Sequence, residues 1–201
     1  GDRLDEEGRT FIQHSIEAAN RMQSLIADLL TYGRVEHEAQ SPRSRIALGP
    51  IIEDVLKNLE NTLSTAQGEV SVGEMPIVSG IPSQLNQVFQ NLIGNALKYR
   101  QADTRPVITV RCEDAGDDWK IIVCDNGIGI SPQYAETIFE PFKRLHGKHE
   151  FSGTGMGLAI CRKIVESHDG VIWVEANPGG GSCFLFTLPK ADTDPDEPED
   201  Q

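Results

Sequence analysis

The chain has 201 residues, 31 of them acidic against 18 basic, for a formal net charge of −13. So acidic a molecule argues against a nucleic-acid partner, whose phosphate backbone requires a basic face. No apolar run is long enough to cross a bilayer and no secretion signal opens the chain, so the expected location is the cytoplasm.

From residues 4 to 35, Ile12, Ile16, Ala19, Met22, Ile26 and Leu29 recur at helical intervals, and Ile12, Ala19 and Ile26 are spaced by sevens. This predicts one long helix with a packing seam. Gln40-Ser41-Pro42-Arg43-Ser44 reads as a linker, since proline cannot continue a helix. A short strand over 45–48 follows, then a helix opened by Pro50 with Ile51, Ile52, Val55, Leu56, Leu59 and Leu63 as its buried stripe. Strands are expected over 69–72 and 76–79, and a long helix starts near Pro82. Alternating runs over 107–112 and 119–124 flank the turn-rich Asp114-Ala115-Gly116-Asp117 and predict a hairpin. Ser131-Pro132 opens a short helix. A further helix leaves Gly155 and ends around His168-Asp169-Gly170, and strands over 171–175 and 182–188 make a second hairpin. The pattern predicts an α+β two-layer α/β sandwich, a mixed sheet with helices on one face, preceded by one long helix. Cys112, Cys124, Cys161 and Cys183 lie far apart without Cys-x-x-Cys spacing and are expected to be reduced, mostly buried thiols. Residues 191–201 carry six carboxylates and no base, and read as a solvated, disordered tail.

Three segments carry chemistry. At about 100° per residue, Asn91, Asn95, Lys98 and Tyr99 share one face of their helix, while Val88, Leu92 and Ala96 point elsewhere. The amide oxygen of Asn95 suits a hard cation such as Mg2+, which shares its shell with phosphates and water. Lys98 brings positive charge to the same phosphates. Asp125 follows the apolar run Ile121-Ile122-Val123-Cys124 and so sits where a strand ends, placed to accept a hydrogen bond from an exocyclic amine such as adenine's. Gly127 and Gly129 allow the backbone to bend closely beneath a flat base. Gly153-Thr154-Gly155-Met156-Gly157-Leu158 opens a helix whose N-terminal amides attract phosphate. Neither glycine loop is a Walker loop or a dinucleotide fingerprint.

In their order, these motifs closely resemble the catalytic ATP-binding domain of sensor histidine kinases, within the GHKL ATPase group that includes gyrase B and mismatch-repair ATPases. Residues 91–100 resemble the N box and 125–129 the first glycine box. Phe139-Glu140-Pro141-Phe142 resembles the F box, 153–157 the second glycine box, and Gly179-Gly180-Gly181-Ser182 a terminal glycine box. The resemblance implies Mg-ATP binding, with Asn95 on the metal helped by Asn91, and Tyr99 with Ile130 as walls for the base. It makes residues 143–150 an ATP lid, in which Arg144 and Lys148 reach the phosphates. His146 and His149 in that lid make a poor metal site, and a zinc reading is set aside.

Such kinases carry a phosphoacceptor histidine on the first of two antiparallel dimerisation helices. Neither His14 nor His37 has the sequence context of that acceptor, and residues 4–35 resemble the second helix instead. The chain is accordingly expected to be a fragment divided into residues 1–39 (part of the dimerisation domain), 40–44 (linker), 45–190 (catalytic domain) and 191–201 (tail). The first helix and any sensor domain would lie upstream and could anchor the full-length protein to a membrane. Asn91 stands where the hydrolysing GHKL members carry a glutamate that activates water, and an amide cannot be that base. The resemblance therefore implies transfer of the γ-phosphoryl to a histidine, relay to a response-regulator aspartate, and a homodimer in the full-length protein. Its local likeness to phytochrome-type kinases rests on Tyr99-Arg100 and Arg144-Leu145-His146. The alternatives are a catalytically silent ATP-binding regulator and a serine kinase of the anti-sigma type; a preceding dimerisation helix speaks against the latter.

Overall fold

A computed structural model of the protein describes residues 6–38, 42–145 and 153–191. Helix α1 runs Glu6–Glu38, and its C-terminal part rests on the body of the molecule. There Val35 is buried and Tyr32 packs on the core. The seam is a different matter: Ile12, Ile16, Met22, Ile26, Leu29 and Leu30 stand exposed. No helix among the described residues is long and apolar enough to cross a membrane.

The body is built from β1 (Ser44–Ala47), α2 (Leu48–Asn58), α3 (Glu60–Ala66), β2 (Glu69–Val72), β3 (Ile77–Gly80), α4 (Pro82–Lys98), β4 (Val107–Ala115), β5 (Asp118–Asp125), α5 (Gly157–Ser167), β6 (Ile172–Ala176) and β7 (Ser182–Pro189). Two short 3-10 turns, Pro132–Tyr134 and Thr137–Phe139, precede α5. Five strands form one sheet in the order β2-β4-β5-β7-β6, with β2 parallel to β4 and the other pairings antiparallel. Alternation along β5 and β7 separates two faces. Ile121, Val123, Phe184 and Phe186 join the main core with Leu85, Phe89, Leu92 and Ile93 of α4 and Ile160 and Ile164 of α5. Ile122, Cys124, Cys183 and Leu185 form a smaller cluster on the opposite face, with Trp173 against it. This is the two-layer α/β sandwich anticipated.

Several details differ. The segments read as strands near 45 and 77 form a separate antiparallel pair, β1 with β3, linked to the large sheet by a bridge between Val78 and Lys190. Leu48 starts a helix rather than ending a strand, so Pro50 lies within the first turn. The single predicted helix breaks at Leu59 into α2 and α3. The turn between β4 and β5 is tighter than expected because Gly116 adopts φ +80°, which lets both strands run on to Ala115 and Asp118.

The reading of all four cysteines as reduced thiols is corrected. Cys124 and Cys183 form a disulfide. Antiparallel register sets them opposite each other across β5 and β7 despite 59 residues of separation, a pairing that cysteine spacing alone does not reveal. Cys112 and Cys161 remain free.

The start of α4 lacks a side-chain cap at Ile81. The Ile81 N–H is instead donated to Nε2 of His168 at 3.0 Å, while Nδ1 of the same ring bonds the Ile164 carbonyl at 2.8 Å. One buried imidazole thus ties the end of α5 to the beginning of the asparagine-bearing helix. Arg43, in the segment read as a linker, donates to Asp169 at 2.7 Å and to the Ser167 carbonyl at 2.8 Å, so the chain enters the body along the same corner.

Candidate nucleotide site

A cleft with about 600 Å3 of empty space, open to solvent, lies between α4, the end of β5, the segment before α5 and β7. Tyr99, Ile128, Ile130, Ile138, Leu158 and Phe184 give it apolar walls, and Asn95, Asp125, Lys143, Arg144 and Ser182 its polar groups. Apolar walls with a few convergent polar groups are the usual build of a small-molecule site.

Asp125 ends β5 and is buried. Its Oδ1 accepts the N–H of Gly127 at 2.8 Å and that of Ser182 at 3.2 Å. Among the described residues no hydrogen bond reaches Oδ2, which leaves that oxygen for a donor in the cleft. Burial pushes the carboxyl above its ordinary value, and the two N–H bonds pull it part of the way back. The main chain of Asp125 is held as firmly. Asn177 Nδ2 donates to its carbonyl at 2.9 Å, and Gly181, at φ +91°, lies so close that a Cβ there would collide with that carbonyl.

Within the first loop, Gly127 has a packing reason of its own. A Cβ on Gly127 would collide with the Tyr99 carbonyl, which also accepts the Ile128 N–H at 3.0 Å. Gln101 Nε2 donates to the Gly127 carbonyl at 3.0 Å. Gly127 therefore packs the loop against the end of α4, whereas Gly129, at φ +75°, lines the cleft.

On α4, Asn95 lines the cleft and its side chain makes no hydrogen bond among the described residues. That is a fitting condition for a cation ligand: Mg2+ takes one or two protein oxygens and fills its shell with phosphate and water. No group of three or more His, Cys, Asp or Glu side chains able to hold a metal occurs among the described residues. Asn91 is differently engaged, its Nδ2 donating to the Gly157 carbonyl at 3.2 Å. It docks the start of α5 onto α4. Lys98 Nζ donates to the Tyr99 hydroxyl at 2.9 Å and lies 2.7 Å from a Cβ built on Gly153, so it already faces the second glycine loop.

In that loop Gly153 and Gly155 have positive φ. Arg144 Nη1 donates to the Gly153 carbonyl at 3.1 Å, joining the two described ends of the expected lid. Thr154 Oγ1 accepts the Met156 N–H at 3.2 Å and donates to Asp28 of α1 at 2.5 Å. Met156 is buried in the core rather than facing the cleft. Gly157 begins α5, and Leu158 lines the cleft. Lys148, His146 and His149 lie outside the described residues.

Of the residues predicted from sequence, Asn95, Tyr99, Asp125, Gly129, Ile130, Arg144 and Leu158 line one cleft. Asn91, Gly127, Thr154 and Met156 brace it. Sequence reasoning missed Ile128, Ile138, Lys143, Ser182, Phe184 and the bracing pair Asn177 and Gln101. Ser182 had a signal, since it directly follows the terminal glycine run. Phe184 and Ile138 had none, being ordinary apolar residues of a strand and a turn.

The fold and motifs have known counterparts. Residues 80–192 match the family model described as histidine kinase-, DNA gyrase B-, and HSP90-like ATPase. The phytochrome-like protein Cph1 of Synechocystis is 44% identical over 187 residues, which are 92% of this chain and 25% of that protein. The chain thus spans about a quarter of the length of such curated relatives. Among solved structures, a mycobacterial sensor histidine kinase, MprB, matches with TM-score 0.63 and 26% identity, covering 73% of this chain and 97% of that one. Full-length ShkA in complex with AMPPNP matches with TM-score 0.71 over 93% of this chain and 40% of that one; at 24% identity this is a likeness of fold. The chain belongs to the histidine kinase-, DNA gyrase B- and HSP90-like ATPase family, as a histidine kinase catalytic domain.

Proposed function

We propose that this chain binds Mg-ATP in the cleft and presents the γ-phosphoryl to a histidine carried by an upstream helix, from which it passes to a response-regulator aspartate. The observation that carries the reading is Asp125. Its Oδ1 is spent on two backbone N–H groups and its Oδ2 is left for the cleft, so it selects a base bearing an exocyclic amine. Tyr99 and Ile130 wall that base. Asn95 would hold Mg2+, which would supply positive charge to neutralise the phosphates, and Asn91 aids by fixing α5 against α4. Lys98, Arg144 and, in the lid, Lys148 balance phosphate charge. The N-terminal amides of α5, which starts at Gly157, are assigned to the same phosphates. In this reading α1 is the second dimerisation helix, residues 45–190 are the catalytic domain, and the exposed seam of α1 meets its partners in the full-length homodimer.

Calorimetry with ATP and GTP tests the pocket. ATP should bind clearly better, because guanine presents a carbonyl where adenine has an amine, and Asp125→Asn should weaken binding and blur the preference. Equal affinities would sink the assignment. Labelled ATP should leave almost no acid-labile phosphate on this chain alone. Transfer should appear once a histidine-bearing helix is fused upstream; a fused protein that binds ATP without transfer would instead be a silent regulator.

A further inference from the structure

Cys124 and Cys183 are the last residue pair of the β5–β7 ladder, which runs from Asp118 opposite Pro189 to this pair and stops. Their Cα atoms are 4.0 Å apart, the close spacing of a non-hydrogen-bonded antiparallel pair. Immediately beyond them the ladder pairing ends, and the next residue on each side lines the cleft: Asp125 after Cys124, Ser182 before Cys183. Those two neighbours are themselves bonded, the Ser182 N–H to Asp125 Oδ1 at 3.2 Å. The disulfide is thus a covalent end to the ladder, one residue from the group that reads the base. No backbone ladder bond lies between the disulfide and that contact.

We propose that Cys124 and Cys183 are a thiol-oxidation site that controls nucleotide affinity: the disulfide fixes Asp125 against Ser182, and reduction lets this end of the pocket loosen. The proposal rests on the adenine-binding role given to Asp125 above. The oxidant is a small-molecule disulfide of the glutathione type. One cysteine thiolate attacks a sulfur of that disulfide and expels a small thiolate; the second cysteine thiolate attacks the protein-side sulfur of the mixed disulfide, forming the Cys124–Cys183 bond and expelling the other. The protein gives up two electrons and two protons, and the small disulfide becomes two thiols.

Pairing rather than exposure favours these two over the half-buried Cys112 and the buried Cys161. Cys161 is fully enclosed and its thiol is pushed up to about 12 by burial, so it has almost no reactive thiolate. The Cys112 thiol is also raised, first by burial and then by Glu74 and Glu113, and it donates to the Glu74 carbonyl at 3.3 Å. Cys124 and Cys183 lie on the sheet face away from the helices, each 8% exposed.

The test compares one preparation oxidised with glutathione disulfide and one reduced with dithiothreitol, both desalted, with the bond verified by mass spectrometry of unreduced peptides. Calorimetry then measures ATP and adenosine. The oxidised form should bind each about fivefold more tightly, the worth of roughly one hydrogen bond, because the change is at the base end. A Cys124→Ser/Cys183→Ser double variant should bind like the reduced form after either treatment, and Cys112→Ser should keep the full redox response. Equal affinities with the bond verified, no Cys124–Cys183 peptide under oxidant, or loss of the response in Cys112→Ser would each overturn the proposal while leaving the ATP reading intact. If neither form binds ATP or adenosine, the ATP reading falls and takes this one with it.

Discussion

His168 gives the sharpest link between one side chain and the site. It is fully buried, accepts the Ile81 N–H at Nε2 and bonds the Ile164 carbonyl through Nδ1. Only the neutral ring with its proton on Nδ1 satisfies both partners; protonating Nε2 would set donor against donor. Burial, the largest influence, holds the imidazole below its ordinary value of 6.5; the Arg43 charge acts in the same sense, while the Ile164 bond and Asp169 oppose it. A His whose folded-state pKa is depressed stabilises the fold above its unfolded value, and that stability is lost as pH falls from 6.5 through the folded-state pKa. Each unit of depression is worth ~1.4 kcal/mol. Truncation is more severe. His168→Ala leaves the Ile81 N–H without a partner, at ~1–3 kcal/mol, and opens a cavity costing ~2 kcal/mol or more, together a large share of a domain's ~5–15 kcal/mol. His168→Gln keeps an acceptor near Ile81 but does not titrate. Urea unfolding of both proteins at about pH 7.5 and about pH 5.5, on either side of the free imidazole value, checks this. The native protein should lose stability at the lower pH, and His168→Gln should lose clearly less. The same loss in both would refute the assignment.

The site offers two further checks. Asn95→Ala should weaken Mg2+-dependent binding of ATP more than metal-free binding of adenosine, since only the phosphate end depends on the cation; titrations showing one common loss would make Asn95 a fold residue. Gly181→Ala should destabilise by about 2–4 kcal/mol, because its φ of +91° is strained for alanine and the Cβ would strike the Asp125 carbonyl. Gly179→Ala, with nothing within 4 Å, should stay within about 0.5 kcal/mol in the same thermal or urea melts.

What the sequence revealed of this molecule is what depends on local periodicity and local backbone chemistry. The long helix, the two hairpins and the helix at Pro82 follow from residues within one turn or one strand of each other. Asp125 was legible because an apolar run before it and glycines after it mark a strand end. The break at Leu59 was not, since the apolar stripe continues through it to Leu63 and nothing in the spacing marks the stop. The bounds of β1 and β3 were missed by a residue or so, as short strands without strong turn residues allow.

The illegible part of the site comes from register and from contacts between distant segments. Cys124 meets Cys183 only because β5 and β7 pair in one register and not its neighbour, and a slip of one residue would send both to other partners. The same register delivers the Ser182 N–H to Asp125, so the disulfide and the pocket's rigid back depend on one structural fact. The contact of α1 with the second glycine loop is of this kind too. Asp28 and Thr154 are 126 residues apart, yet the Thr154 hydroxyl bonds both the Asp28 carboxylate and the Met156 N–H at the entrance to α5. Thr154 was assigned to nucleotide binding from its motif alone, and in the folded chain its hydroxyl also holds α1. A nucleotide bound as proposed at the start of α5 would share that corner with a carboxylate from α1, an approach of distant segments that no local pattern in the sequence announces.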